Sequence, residues 1–597
     1  MSNRSTSLLA ASIGAFALSI AAIGATAAAD PSPSPTSANA APSPAADAPQ
    51  RATGSERGRS ITRALIAAKL AAALGALAVV ASGQRLRRRG RAGEFRRVRS
   101  GLLLALALFA FAASYNFFAW RHDHGIHAHE FFHYYLGAKY FPELGYHGLY
   151  ECAVAAATAG NPDEASRPHE IRDLRHVERR VQVVPARSLE ACRARFTPER
   201  WTSFRHDTAF LKQRMTPERW ARVLTDQGLN ASPVWLIAGH SLAEWVPTEP
   251  DSLRLYARLD LVILSIGFAA VGLAFGLDGL SLAILAWAAN PLSGYGWVGD
   301  TPLRQLWFGT LLVGLSLLRR RRHGAAAIFL ATSSLTRVFP IFFPIGYAIR
   351  QARRWIADRR FDPGFVRFVT VGSASGLLLI ALSIPATGRG VGVIGEFVDE
   401  MSSYSTLTGR NSMGLQALLT HSTTTAPPRL IDGQLEVLEA DQIAHAQRTF
   451  RSRRPIYWAG VGLMFLLYWS ALSRAEDWEA ACLGFVLVLV LTQAASYYMT
   501  CTVGAALLGT RRPRIAIALM GALVAWGGIT LAFSDSADGF ALATVVALLL
   551  SVFTLIEMRR PADDDRELVT GSAPDRSAIR GSTEASVTGI RTDRAST

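Results

Sequence analysis

Lysine and cysteine are both scarce in these 597 residues. Lys69, Lys139 and Lys212 stand against a large excess of arginine, so arginine is the default cation and its choice at any one position carries little weight. Lys139 is correspondingly more notable than its type alone would suggest. The four cysteines are too few for a disulfide-knit scaffold. Cys482 and Cys501 fall in apolar runs, whereas Cys152 and Cys192 share one long polar segment. There they are either a disulfide, if that compartment is oxidising, or two unrelated thiols. A net charge of +16 does not point to nucleic acid, because the arginines sit in short clusters at the ends of apolar runs, the pattern that orients helices in a bilayer. No nucleic-acid partner is expected.

What the chain has is hydrophobic length. Half of its residues (50%) are hydrophobic, and they gather into runs of about 16 to 25, long enough to cross ~30 Å of hydrocarbon as helices. The expected fold is an all-α polytopic bundle of about 10–12 membrane segments with a long helical exoplasmic loop, in the cell membrane.

Residues 1–28 read as a signal peptide or a first membrane helix, and residues 29–60 as a disordered Pro/Ala/Ser-rich tether. Residues 61–99 add a membrane helix and the densest basic block, Gln84 to Arg99, which belongs in the cytoplasm. The main membrane domain is expected over 100–557, and residues 558–597 form a polar, disordered cytoplasmic tail. With the basic block inside, residues 121–252 are exoplasmic and long enough to have structure of their own. Within them T-P-E-R-W occurs twice, at Thr197 to Trp201 and Thr216 to Trp220. Threonine as N-cap, proline at the first helical position and glutamate in the first turn predict two short helices.

Further spans are expected near 255–276, 280–297, 303–318, 365–387, 456–473, 480–497, 513–533 and 538–557. The run over 324–348 lies between Arg319–Arg322 and Arg350–Arg354, so both flanks want the same side. A re-entrant pair of half-helices broken near Thr336–Pro340 resolves that conflict, with Pro340 and Pro344 supplying the break.

The segment from His122 to Tyr150 packs acids, histidines and aromatics against the water side of the membrane, which makes it the candidate active site. In one reading Glu130 begins an amphipathic surface helix, with Phe131, Tyr134, Tyr135 and Ala138 on its apolar side, and its carboxylate serves as general base. Asp123 is the rival carboxylate. In the other, His129-Glu130-Phe131-Phe132-His133 is H-E-x-x-H, which sets two imidazoles on one helical face for zinc with the glutamate as base, and Asp278 is the distant third ligand of a membrane zinc metalloprotease. Six of the 13 histidines cluster between His122 and His147, so solvated interfacial histidines account for the same pattern. Arg337, inside an apolar run, costs roughly 2.5 to 3.5 kcal/mol on insertion scales and should face an anion or polar cavity, or else pair with another helix or snorkel. Arg304, after Gly299-Asp300, is similar. Arg410 and Asn411 in a second exoplasmic loop suit a polar ligand or a simple turn.

Taken in order, these pieces resemble the GT-C-fold integral-membrane glycosyltransferases, more closely the polyprenol-phosphate-mannose-dependent mannosyltransferase family. The matching residues are Glu130-Phe131, Tyr134, Gly137-Ala138, Gly145 and Tyr150, then Gly299-Asp300 through Arg322, Leu335 to Pro340, and Asn411 to Gly414. The chain departs from the family pattern with glutamate for aspartate at 130, arginine for lysine at 337 and a much longer first loop, and residues 1–99 have no counterpart. The resemblance implies an inverting, metal-free transfer of a mannose-like hexose from a polyprenyl-phosphate sugar to an exoplasmic (periplasmic) glycan, lipid or protein acceptor. It makes Glu130 the base and Arg337 or Arg304 the holder of the donor phosphate. Substrate contacts fall on His133, Tyr134, Lys139, Arg410 and Asn411. No cofactor is implied; the alternatives are the zinc protease and a non-enzymatic transporter or lipid-binding protein.

Overall fold

The computed structural model describes residues 48–561, apart from residues 92, 120–124, 295–298, 406–408, 423–428, 432–433, 437–438 and 535. The signal or first-helix segment, Asp123 and nearly all of the tail therefore lie outside the described residues. The protein is a mostly helical, multi-pass membrane protein. Three two-stranded antiparallel ribbons are its β-structure among the described residues: His169–Arg172 with Arg180–Val183, Ser412–Met413 with Ala494–Ala495, and Arg429–Ile431 with Gln434–Glu436.

Among the described residues, six helices are long and apolar enough to cross a membrane: Arg59–Arg88, Arg96–Ser114, Pro250–Ala288, Pro363–Thr387, Pro513–Phe533 and Ala537–Met558. This is fewer than the expected segments, for physical reasons that differ from place to place. The two runs over 255–297 form one stretch, Pro250–Ala288, bent at Gly276, whose φ of 76° suits glycine. The run over 303–318 is the 14-residue helix Leu306–Arg319, about 21 Å long and short of the hydrocarbon thickness. The run over 480–497 divides into Asp477–Cys482 and Gly484–Leu491, and the latter is buried inside the protein except at its last residue. An apolar run fills a protein core as readily as it faces lipid, and composition does not separate the two. By contrast, Pro363–Thr387 buries almost none of its apolar surface in the protein, as a lipid-facing helix should.

The segment assigned to the tether ends early, because the first described helix already begins at Ala48 and runs to Arg88. The helix His323–Thr336 stops where the prolines predict: Arg337 is extended (φ −143°, ψ 139°) and the chain resumes helically at Phe339–Ile341 and Phe342–Asp358. The arginine clusters at this end of the bundle are not simply solvated. Arg319 and Arg511 bond Glu476, Arg512 bonds the buried Glu479, and Arg350 bonds Asp477.

The polar stretch between the second and third long helices folds into a helical cap with its own apolar core, in which Phe131, Tyr135, Phe204, Trp220, Trp235 and Tyr256 meet. Thr197 and Thr216 accept N–H groups from Arg200 and Arg219 and start the helices Pro198–Lys212 and Pro217–Leu224. Cys152 and Cys192 are disulfide-bonded, tying Leu149–Thr158 to Pro185–Arg193. A second core, around Trp287, Phe308, Tyr347 and Trp478, fills the membrane bundle.

Candidate functional site

Glu130 lies in a helical segment that runs over Ala128–Phe131, Phe132–Leu136 and Gly137–Lys139, its middle wound as a π-helical turn. Such turns concentrate at functional positions. The segment is not an amphipathic helix on a surface as expected: Phe131, Phe132, Tyr134, Tyr135, Leu136 and Ala138 are all buried, so it runs through the core of the cap. It is fastened to the bundle where the His127 N–H donates to the Asp300 carbonyl at 3.1 Å.

On one face, Glu130 and Tyr134, four residues apart, meet two arginines. Arg304 Nη1 donates to Glu130 Oε2 at 3.1 Å, with side-chain exposures of 7% and 15%. Arg304 is positioned by its backbone: its N–H and that of Gln305 donate to the two carboxylate oxygens of buried Asp260, each at 3.0 Å. Its guanidinium lies over the rings of Tyr497 (4.8 Å) and Tyr134 (5.4 Å), and its buried Nε has no hydrogen-bond partner among the described residues. Arg337, at the helix break, donates to Asn230 Oδ1 (3.2 Å), the Asn230 carbonyl (3.3 Å) and Tyr134 Oη (3.2 Å). Tyr134 donates in turn to Asn230. Arg337 thus has neutral acceptors and no carboxylate partner among the described residues. Tyr134 connects the two guanidiniums.

On the neighbouring face lie His129 and His133. His129 Nε2 is 2.8 Å from Asp226 Oδ2, and His133 Nε2 is 2.8 Å from Tyr150 Oη, which accepts the Gly228 N–H. Ligand atoms of His129, His133 and Asp226 fall within 4.8 Å of one another. Burial, then neighbouring His129, pushes the His133 imidazole down to about 3, so it is neutral. The expected third zinc ligand is corrected: Asp278 accepts from Ser100 at 2.5 Å, about 27 Å further along the helical stretch that carries Asp260. Asp226 is the carboxylate that lies beside the two histidines. The sequence signal available for Asp226 was only its position just beyond the second T-P-E-R-W helix.

Two expected substrate contacts lie elsewhere. The Lys139 ammonium is 2.8 Å from Asp207 Oδ2, which also accepts from Tyr140 at 2.8 Å. It is a buried structural ion pair of the cap. Arg410 is exposed, and Asn411 touches the site's wall through its backbone, accepting the Ser496 N–H at 2.9 Å next to Tyr497. Comparison with family models, with curated proteins and with solved structures finds no match. The resemblance to GT-C enzymes therefore rests on this chain's own residues.

Glu130 also borders a cavity of about 620 Å³ between the cap and the first described membrane helix, lined by Lys69, His129, Arg219, Arg222 and Asp226 among others. An acid paired to a fixed arginine, a second arginine with no carboxylate, and an adjoining cavity can together take a proton and hold an anion.

Proposed function

We propose that the protein is a GT-C-type membrane glycosyltransferase that moves a mannose-like hexose from a polyprenyl-phosphate donor to an acceptor on the exoplasmic face. The observation that carries this reading is the Glu130–Arg304–Tyr134–Arg337 constellation, in which a carboxylate bonds one guanidinium and a tyrosine links that guanidinium to a second. The acceptor hydroxyl oxygen attacks the anomeric carbon while the bond from that carbon to the phosphate oxygen breaks. The bonding pair leaves with the lipid phosphate, and Glu130 takes the hydroxyl proton. Arg337, with no carboxylate of its own, and Arg304, through its unused Nε, receive the phosphate charge. The test is transfer by purified protein from a panel of polyprenyl-phosphate sugars. The expected result is transfer that survives chelator and disappears in Glu130→Gln.

A second reading, a zinc hydrolase, is favoured by the proximity of His129, His133 and Asp226. These residues fit zinc in kind, two imidazoles and a carboxylate, with Glu130 beside them as base. No transfer from any donor, together with stoichiometric zinc in the preparation, decides for it.

A further inference from the structure

The cavity beside Glu130 has a wall that sugar transfer does not use. The first described membrane helix contributes Thr62, Leu65, Ile66 and Lys69 to it. Lys69 is one of three lysines in the chain and only 4% exposed, and it has no hydrogen-bond or ionic partner among the described residues. A lysine inside a membrane helix is costly and, by default, functional. Across the cavity the cap presents Arg219 and Arg222. Partial burial and then the adjacent Arg222 both disfavour the Arg219 charge, so the two guanidiniums crowd each other without a counterion among the described residues. Arg219 does bond His127, at 3.5 Å.

The acids in the lining are bonded to other partners. Glu130 is held by Arg304 at 3.1 Å, and Asp226 by His129 at 2.8 Å. The fourth cation of the wall, Arg180, is satisfied by Glu170 at 3.0 Å. Three cations therefore converge on one space whose membrane-side wall, at Leu65 and Ile66, is apolar. A ligand matching both properties has a multiply accepting anionic head and a hydrocarbon tail.

We propose that this cavity binds the phosphate-bearing headgroup of an anionic membrane lipid, with Lys69 as its buried anchor and Arg219 and Arg222 closing over the headgroup from the cap. The site stands whether or not the protein transfers sugar. Lipid binding and sugar transfer are read by separate assays, so each proposal fails on its own.

The experiment is native mass spectrometry of the full-length protein in a phosphate-free detergent, titrated with phosphatidylglycerol, diacylglycerol or inorganic phosphate. Wild type is compared with Lys69→Met, Lys69→Arg and the pair Arg219→Gln/Arg222→Gln. Phosphatidylglycerol should bind wild type and lose at least about tenfold in affinity in Lys69→Met, the scale of one charged hydrogen bond. Lys69→Arg should recover most of that loss. Diacylglycerol should not bind, and inorganic phosphate in excess should not displace the lipid. Lys69→Met should melt no lower than wild type, since it removes a buried charge without a partner; a structural ion-pair role would lower it instead. Equal lipid affinity in wild type and Lys69→Met overturns the proposal, as does displacement by inorganic phosphate at the lipid's own concentration. Should Lys69→Met fail to fold, the exposed Arg219/Arg222 pair carries the same test, with unchanged affinity overturning it.

Discussion

Replacing Glu130 by glutamine separates chemistry from architecture. The carboxylate and Arg304 are both largely buried, 15% and 7% exposed, and bonded at 3.1 Å. Removing one member of a buried pair outright costs about 3–5 kcal/mol, because the other charge is left uncompensated. Glutamine keeps an oxygen for the same Arg304 donor, and the position opens on a cavity, so about 1–2 kcal/mol is expected for Glu130→Gln. That leaves a protein of ordinary stability folded. Its transfer rate should fall about 10²- to 10⁴-fold, the range for loss of a general base, equivalent to about 3–5 kcal/mol on the barrier. Arg304→Met strands Glu130 and should destabilise more. The double variant Glu130→Gln/Arg304→Met, with no charge left, should melt above Arg304→Met alone yet remain inactive. Thermal melting of the detergent-solubilised variants beside sugar-transfer rates provides the readout. A folded Glu130→Gln that keeps more than about one-tenth of the rate, or a double variant that regains transfer, refutes the base assignment.

Other perturbations read the scaffold. Burial opposes the Asp207 charge, but the Lys139 ammonium outweighs it and holds the carboxyl below its usual range. The pair's stabilisation is therefore present above about pH 4 and lost as the pH falls below it; Lys139→Met should cost about 3–5 kcal/mol at neutral pH and flatten that acid limb in melting curves. Cys192→Ser opens a disulfide between residues 40 apart and should lower cap stability by about 4 kcal/mol on the chain-entropy estimate, seen as early proteolysis within the cap. Thr197→Ala and Thr216→Ala should each cost about 1 kcal/mol by melting, and equally, since both caps accept from the third helical residue. Asp226→Asn should leave sugar transfer within about threefold of wild type if Glu130 and Arg304 carry it. Loss of both activity and bound zinc in that variant would instead establish the metal centre.

The features legible in the sequence were those fixed by local rules. The T-P-E-R-W caps need only a threonine, a proline and a glutamate in register, and the break before Pro340 needs only the missing N–H and the ring. Glu130, Tyr134, Arg304 and Arg337 could be named because charges in or beside apolar runs are expensive and few. The partners that give them geometry were not legible. Asp260 holds Arg304 from within an apolar helix, Asn230 reaches Arg337 from the far end of the cap, and Tyr497 comes from beyond the second long loop. None of these contacts leaves a periodic trace. Lys139 shows the converse: a rare residue type beside the site, whose ammonium goes to Asp207.

The two chemical readings of the cap segment share a cause. His129 and His133 are four residues apart, and so are Glu130 and Tyr134, so the two pairs occupy adjacent faces one residue out of step. One face meets Asp226 from just beyond the second T-P-E-R-W helix, and the other meets Arg304 and Arg337 from the membrane bundle. The H-E-x-x-H spelling thus arises wherever a helix needs a histidine pair facing a cap and a glutamate facing a bundle, with or without a metal. What distinguishes the faces is the charge they meet: a single carboxylate on the histidine side, and two guanidiniums, one without an acid partner among the described residues, on the glutamate side. The excess of fixed positive charge beside Glu130 suits a substrate that arrives with its own phosphate, which is why phosphate-linked transfer is proposed ahead of hydrolysis.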